Sequence, residues 1–343
     1  MARRPSMADV AARAHVSHQT VSRVLNEHPH VRATTRDRVL AAIEDLGYSP
    51  NGAARALATR KSRTIGLVAA GTNLHGPAST LLSLEQAARA AGYYLSVTTL
   101  SEYRPERVQE ALAHFRSQLV EAVAVIAPTH IFMPVVEQMR GATPIVLICS
   151  DEHERPGVAT VGIDQRIGTR AVMDLLARDG HERIAFVAGP RRDYDADLRL
   201  EAWQEALVER DLPAPPVYLG SWEAEDGYRA GCALAESILA APQQAPNAVF
   251  VANDHMAIGL LRACTEAGVR IPQDLSVVGF DDIPGAAHLL PPLTTVHQPF
   301  DQLARAAVEA LIAAIEGSDG GSVRLLPPSL VERASHGPAR TRR

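Results

Sequence analysis

The chain has one lysine, Lys61, among its 34 basic residues. Arginine supplies the rest, so anions are met by planar forks of donors rather than by flexible ammonium groups. Cysteine is scarce too: Cys149, Cys232 and Cys264 are scattered, odd in number and outside any C-x-x-C spacing. That argues against a disulfide framework and fits a reducing compartment in which the thiols are small buried apolar groups. No apolar run approaches membrane-spanning length, and "MARRPSMADVAARA" lacks an apolar h-region. A soluble cytoplasmic protein with no membrane partner is expected. Also missing are a Walker A lysine loop, a G-x-G-x-x-G opening a helix, a G-x-S-x-G elbow and a zincin motif, so no enzyme activity and no cofactor is expected. His28, His30 and His153 show no metal-ligand spacing and read as solvated loop residues; no metal site is expected.

What is present is 343 residues with 46% hydrophobic content, enough for two or three domains with real cores. The charge is divided unevenly. Residues 1–63 hold 11 Arg or Lys against 5 Asp or Glu, and the remainder holds 23 against 34. A small basic head on an acidic body is expected where only the head meets a polyanion.

The head reads as short helices. "MADVAARA" (7–14) places Val10, Ala11 and Ala14 at helical spacing; "HVS" breaks it, and Ser17 caps a second helix from His18. "ATTRDRVLAAIEDLGY" predicts a third, with Val39, Leu40, Ile43 and Leu46 as its apolar stripe and Gly47 as its end. Two helices across a tight turn plus a bracing third describe a helix-turn-helix. In "VSHQTVSRVLN", Val16, Val21, Val24 and Leu25 face a core, leaving His18, Gln19, Thr20, Ser22, Arg23 and Asn26 outward. Gln19 suits a bidentate contact to adenine and Arg23 to guanine, while Thr20, Ser22 and Asn26 suit phosphates. "SPNGAARALATRKSR" (49–63) follows as a hinge too short to be a stable helix alone.

From Thr64 the pattern becomes β-run, helix, β-run. Strands are expected at 64–70, 94–100, 122–127, 144–149, 183–189, 247–252 and 275–280, with amphipathic helices between. This implies parallel sheets covered by helices on both faces, and the pattern runs twice. The fold class is an all-α helix-turn-helix head plus an α/β body of two doubly wound parallel-sheet lobes, with a ligand cleft between the carboxyl ends of their strands. Hydroxyl-binding and flat apolar groups stand at expected strand ends: Arg199, Trp222, Asn253, Asp281, Gln298 and Phe300. Asp254 reads as a helix cap and Trp203 as a core anchor.

"MADVAARAHVSHQTVSRVLN" and "TRDRVLAAIEDLGYSPNGAARALATRKSRTIGLV" resemble the LacI/GalR family of bacterial transcriptional repressors. "HERIAFVAGP", "VANDHMAIG", "DLSVVGFDD" and "PPLTTVHQPF" extend the resemblance over nearly the whole chain, closest to the lactose-repressor type. The resemblance implies a periplasmic-binding-protein-like body and a homodimer whose heads read a pseudo-palindromic operator. It further implies a minor-groove wedge, Leu57, at a central CG step, flanked by Asn51, Ala54 and Arg55, with Ser17 and Tyr48 added to the DNA-facing set. It divides the chain into a DNA-binding domain at 1–48, a hinge at 49–63 and a body at 64–336. The first lobe takes 64–163 and 297–325, the second 164–295 and 326–336, and 337–343 is a disordered tail. The absence of leucine heptads after "LVERAS" implies a dimer without a tetramerising tail.

For the cleft, the resemblance matches Arg199, Trp222, Asn253, Asp281, Gln298 and Phe300 to galactoside contacts, with Leu74, Gly76 and Pro77 as the first-lobe wall and His75 beside them. It departs from the family in four places. His15 replaces a turn glycine, and Arg32 replaces a capping serine, leaving Thr34 or Thr35 to cap. Cys149 replaces an aspartate, and Asp193, Asp195 and Asp197 approach the pocket where Ser and Arg are usual. Those acids disfavour a phosphorylated ligand. The function expected is a repressor of sugar-utilisation genes released by a small neutral sugar, a galactoside by resemblance. The alternatives are a ligand-corepressed regulator of the same fold and a sugar-binding protein with no DNA role.

Overall fold

The computed structural model describes residues 5–25, 28–48, 61–100, 104–127, 129, 131, 133–138, 143–318 and 321–339. The chain forms two compact units, Met1–Ser62 and Arg63–Arg343. In the first, α1 (Met7–Arg13) opens on a capping box: Ser6 Oγ accepts from Asp9 N at 3.3 Å and the Asp9 carboxylate accepts from Ser6 N at 2.7 Å. The turn after it runs through His15 at φ +53°, a left-handed conformation His tolerates better than most residues. Ser17 then caps α2 (His18–Leu25), its Oγ accepting from Thr20 N at 3.2 Å. Val10, Val21 and Val24 close a small core on Val39 and Ala42 of α3 (Ala33–Leu46).

Two expectations fail in α3. Leu40 is 50% exposed, because one residue past Val39 the helix has turned by about 100° away from the core. Neither Thr34 nor Thr35 caps: the helix starts at Ala33, so both lie inside the first turn, and Arg32 at the cap position makes no side-chain cap bond. Gly47 ends the helix at φ +57°.

In the second unit, β1 (Thr64–Ala70), β2 (Tyr94–Leu100), β3 (Ala122–Ile126), β4 (Ile145–Ile148) and β5 (Ala159–Ile163) lie in one parallel sheet with the late strand β11 (Val323–Leu326), order β11-β5-β4-β3-β1-β2. Helices α4 (His75–Ala90), α5 (Pro105–Ser117) and α6 (Met133–Gln138) connect them. The chain then crosses into α7 (Gln165–Arg178) and builds the second lobe from β6 (Ile184–Ala188), α8 (Tyr194–Glu209), β7 (Val217–Leu219), α9 (Ala224–Ala240), β8 (Ala248–Val251), α10 (Asp254–Glu266) and β9 (Ser276–Val278). Its parallel sheet has the order β7-β6-β8-β9. Strands β3, β4, β5, β6, β8 and β9 are buried along their whole length, as expected of sheets covered on both faces. At Gly227 and Gly259 an added Cβ would strike the backbone of the facing helix, which is how α9 and α10 pack so closely.

The chain returns through β10 (Thr295–His297) to α11 (Phe300–Ile315), which packs on α4, and to β11 (Val323–Leu326), which pairs with β5. It leaves again through β12 (Ser329–Val331), antiparallel to β10. The expected disordered tail is corrected at its start. Gly337 is bonded through its N–H and carbonyl to the Ser276 side chain, His181 Nε2 lies 3.0 Å from the Gly337 carbonyl, and Ala339 N donates to Asp179 O at 2.7 Å. These bonds satisfy the backbone and hold the segment to the second lobe. Residues 340–343 lie outside the described residues. No helix among the described residues is long and apolar enough to cross a membrane.

Candidate functional site

The head presents one polar helix face. His18, Gln19 and Arg23 are exposed, while Thr20 and Ser22 are half-buried. Ser17 is exposed but engaged: besides capping, its Oγ lies 2.9 Å from Thr20 Oγ1, so this pair organises the helix start. Tyr48 departs from the expected DNA-facing set. It is buried in the head core, drawn in by the Tyr48 N to Ile43 O bond that closes the end of α3. Asn26, Asn51, Ala54, Arg55 and Leu57 lie outside the described residues.

In the body, the carboxyl ends of both sheets face two adjoining cavities that share Gly76, Pro77, Asp195 and Gln298 in their walls. Leu74, Gly76 and Pro77 come from the loop after β1 and the start of α4, and Phe300 from the start of α11. Asp195 and Arg199 come from α8, and Trp222, Asn253, Asp281 and Gln298 from four separate strand-end segments. All ten residues named from the sequence thus converge on one cleft. Asp193 lines it as well, but Asp197 does not. Three residues in or beside the wall, Trp222 (φ +78°), Asp281 (φ +119°) and Asp282 (φ +53°), hold left-handed backbone without being glycine. Such strain persists where surrounding structure enforces it, commonly at ligand clamps.

Arg199 is buried, its guanidinium 3.8 Å over the Phe280 ring and 5.4 Å from that of Trp222. Its Nε donates to Gln165 Oε1 at 2.9 Å, Nη1 to the Ala252 carbonyl, and Nη2 stands 3.7 Å from Asp195. Asp281 accepts from Gln298 Nε2 at 2.7 Å; burial raises its carboxyl above the usual range, against the pull of Arg199 and His75. Burial, then the neighbouring Asp195, pushes Asp193 up to about 7. The cleft therefore combines carboxylate acceptors, one preorganised guanidinium and an indole face, a set that suits hydroxyls on a ring with an apolar side.

The cap expected of Asp254 falls to Asn253, which also lines the cleft. Asn253 caps α10, accepting from Met256 N at 2.9 Å, and its Nδ2 donates to the Trp222 carbonyl at 3.0 Å, which leaves one N–H for a ligand. Asp254 is buried in the first turn and accepts from Ile283 N and Thr295 Oγ1; burial, then Asp281, raises it to about 8. Trp203 is a core anchor, stacked on Phe186 with Nε1 donating to Ile184 O. Sequence reasoning missed Gln165, which lines the cleft, holds Arg199 and donates to Ser150 at 3.1 Å. The sequence carried no signal for it, because the strand before it, Ala159–Ile163, was not legible either. Phe280 was missed because it reads as strand core. Cys149 is buried against the cleft, and burial pushes its thiol up to about 12, so it acts as an apolar wall. Among the described residues no group of three or more His, Cys, Asp or Glu could hold a metal ion.

A helix-turn-helix and a two-lobed binding body on one chain define a ligand-binding, DNA-binding regulator. Residues 6–51 match the model for bacterial regulatory proteins of the lacI family, and residues 173–336 match that for a periplasmic binding protein-like domain. The chain is 33% identical to the lactose operon repressor of Escherichia coli (strain K12), covering 96% of this chain and 89% of that one. It is 32% identical to the ribose operon repressor of the same organism, covering 96% and 99%. A crystal structure of the Lac repressor dimer bound to operator and the anti-inducer ONPF matches with a TM-score of 0.87 at 31% identity, over 97% of this chain and 99% of that one. The chain belongs to the LacI family. It is a DNA-binding transcriptional repressor with a ligand-binding body, and not an enzyme.

Proposed function

We propose that this repressor acts in the cytoplasm as a homodimer on a pseudo-palindromic operator, and that a small neutral sugar, of the galactoside class, releases it. The domain division proposed is a head at 1–48, a hinge at 49–63 and a body from 64. His18, Gln19 and Arg23 read base edges, Ser17, Thr20, Ser22 and Asn26 set the helix on the backbone, and Leu57, with Asn51, Ala54 and Arg55, enters the minor groove at a central CG step. In the cleft Arg199, Asp281 and Asp195 hydrogen-bond hydroxyls, Asn253 adds one N–H, and Trp222 with Phe300 supplies the apolar wall. The observation that carries this reading is the convergence of Arg199, Trp222, Asn253, Asp281 and Gln298, from separate segments, on one cavity. The names of the relatives, lactose and ribose operon repressors, support a sugar effector.

The test is fluorescence anisotropy of the protein on its own upstream DNA at fixed salt, titrated with a panel of galactosides. Release by one of them supports induction. Tighter binding would establish corepression instead, because the sign depends on which state the ligand prefers. Binding of DNA with no response to any galactoside would move the effector to another class.

A further inference from the structure

The two cavities of the cleft differ in chemistry. The one on the second-lobe side has Asp193, Arg199, Asn253 and Asp281 in its wall beside the Trp222 indole. The other is floored by Ile126, Ile148 and Ile163, the last residues of β3, β4 and β5, which lie side by side in the first-lobe sheet. Pro77 of α4, with Phe300 and Leu303 of α11, completes its apolar wall. The three isoleucines and Leu303 belong to the first-lobe core and are 5% exposed or less. The carboxyl ends of parallel strands are where ligands dock. Here three adjacent ends offer aliphatic side chains.

The polar side chains of this first-lobe cavity are turned to the protein. Thr80 Oγ1 donates to the Gly76 carbonyl at 2.8 Å. Ser150 Oγ donates to Asp195 Oδ1 at 2.6 Å and accepts from Gln165 Nε2 at 3.1 Å; the same nitrogen reaches the Ile163 carbonyl at 3.1 Å. The Gln165 oxygen accepts from Arg199, and Gln298 Nε2 donates to Asp281. Asp195 stands in both walls, but its Oδ1 is taken by Ser150 and its Oδ2 lies 3.7 Å from Arg199 Nη2. Cys149 keeps its proton, because burial pushes the thiol up to about 12. A ligand hydroxyl placed here would be stripped of water with little to replace it, a loss on the order of ten- to a hundredfold in affinity.

We propose that the effector is a 6-deoxyhexose or its glycoside, whose ring hydroxyls meet the polar cavity while its methyl carbon enters the first-lobe cavity. In a hexopyranose the hydroxyls on C2, C3 and C4 are fixed to the ring, and C6 is the carbon that projects beyond it. Removing the C6 hydroxyl leaves a methyl group with nothing to desolvate, suited to an aliphatic floor. The proposal rests on the cleft being a sugar site and narrows the class of sugar.

Binding to the full-length protein is measured by calorimetry with methyl β-D-galactoside and its 6-deoxy analogue, and with gluco- and manno-configured pairs built the same way. In whichever pair binds, the deoxy member should be tighter by about tenfold or more. Ile126→Thr places a hydroxyl on the floor and should narrow that preference several-fold. Ile126→Val removes the same volume without a hydroxyl and should keep it. Equal or tighter binding of the hydroxylated member, or the same narrowing in both variants, overturns the proposal and leaves the sugar reading standing. Isopropyl β-D-galactoside is the further arm. A tenfold gain over the methyl galactoside, with none from 6-deoxygenation, would assign the cavity to the aglycone and overturn the proposal as well. No binding by any member removes the sugar reading and this inference with it.

Discussion

The Asn253 side chain donates to the Trp222 carbonyl at 3.0 Å while its oxygen caps α10 through Met256 N. One amide thus fixes a helix start and the left-handed backbone that presents the indole. Asn253→Ala should lose the cap, about 1 kcal/mol, and weaken effector binding through Trp222. Asn253→Asp keeps the cap but has no donor for the Trp222 carbonyl. Urea unfolding should separate the two variants, and equal destabilisation would contradict this division.

Asp281 is a buried acceptor in the cleft, and Gln298 is bonded to it. Asp281→Ala should leave operator affinity intact and abolish the response to effector. Both are read from one anisotropy titration, and loss of DNA binding would place Asp281 in the fold rather than the signal.

Arg23 is exposed on the polar face of α2. Arg23→Ala should cost about 1–3 kcal/mol on the specific operator and much less on unrelated duplex, measured at one salt concentration. A uniform loss on all sequences would make Arg23 a phosphate contact.

His15 holds φ +53° in the turn between α1 and α2. His15→Gly should stabilise the head by up to about 1 kcal/mol, since glycine meets no Cβ penalty there. Amide exchange of residues 10–25 in the full-length protein would report it, and faster exchange would show that the His15 side chain itself contributes.

Stability should also depend on pH through two buried acids of opposite sense. Asp254, raised to about 8, holds a proton that the unfolded chain releases near pH ~4. Its contribution is full below that pH and is lost as pH rises toward 8. Asp151, lowered to about 2, contributes above pH ~4 and loses that contribution as pH falls toward 2. Asp254→Asn should therefore narrow the difference in urea midpoint between pH 5 and pH 8. An unchanged difference would exclude Asp254 as its source.

The two-lobed architecture was legible because long parallel strands such as Thr64–Ala70 read as apolar runs between amphipathic helices. Strand β5 was not: five residues with Gly162 next to last carry too little pattern, and β10 and β12 have three residues each. Leu40 shows the limit of counting apolar residues, since a small head has room for only a narrow stripe. In the cleft, residue types at strand ends located the wall, but which of Asn253 and Asp254 caps the helix depends on side-chain direction within one helical turn.

The return of the chain to the first lobe has a consequence for synthesis. Helix α11 covers β3, β4 and β5, and β11 pairs along β5, yet both lie beyond residue 299. The head, contiguous within residues 5–48, can fold as it leaves the ribosome. The first lobe cannot finish until nearly the last strand has emerged. A chain arrested before Phe300 would display an uncovered apolar sheet face and a bare β5 edge, the two features that draw nascent chains into aggregates. For this repressor, the interval between making the DNA-reading head and closing the lobe that must answer to it is a window of exposure to chaperones and proteases.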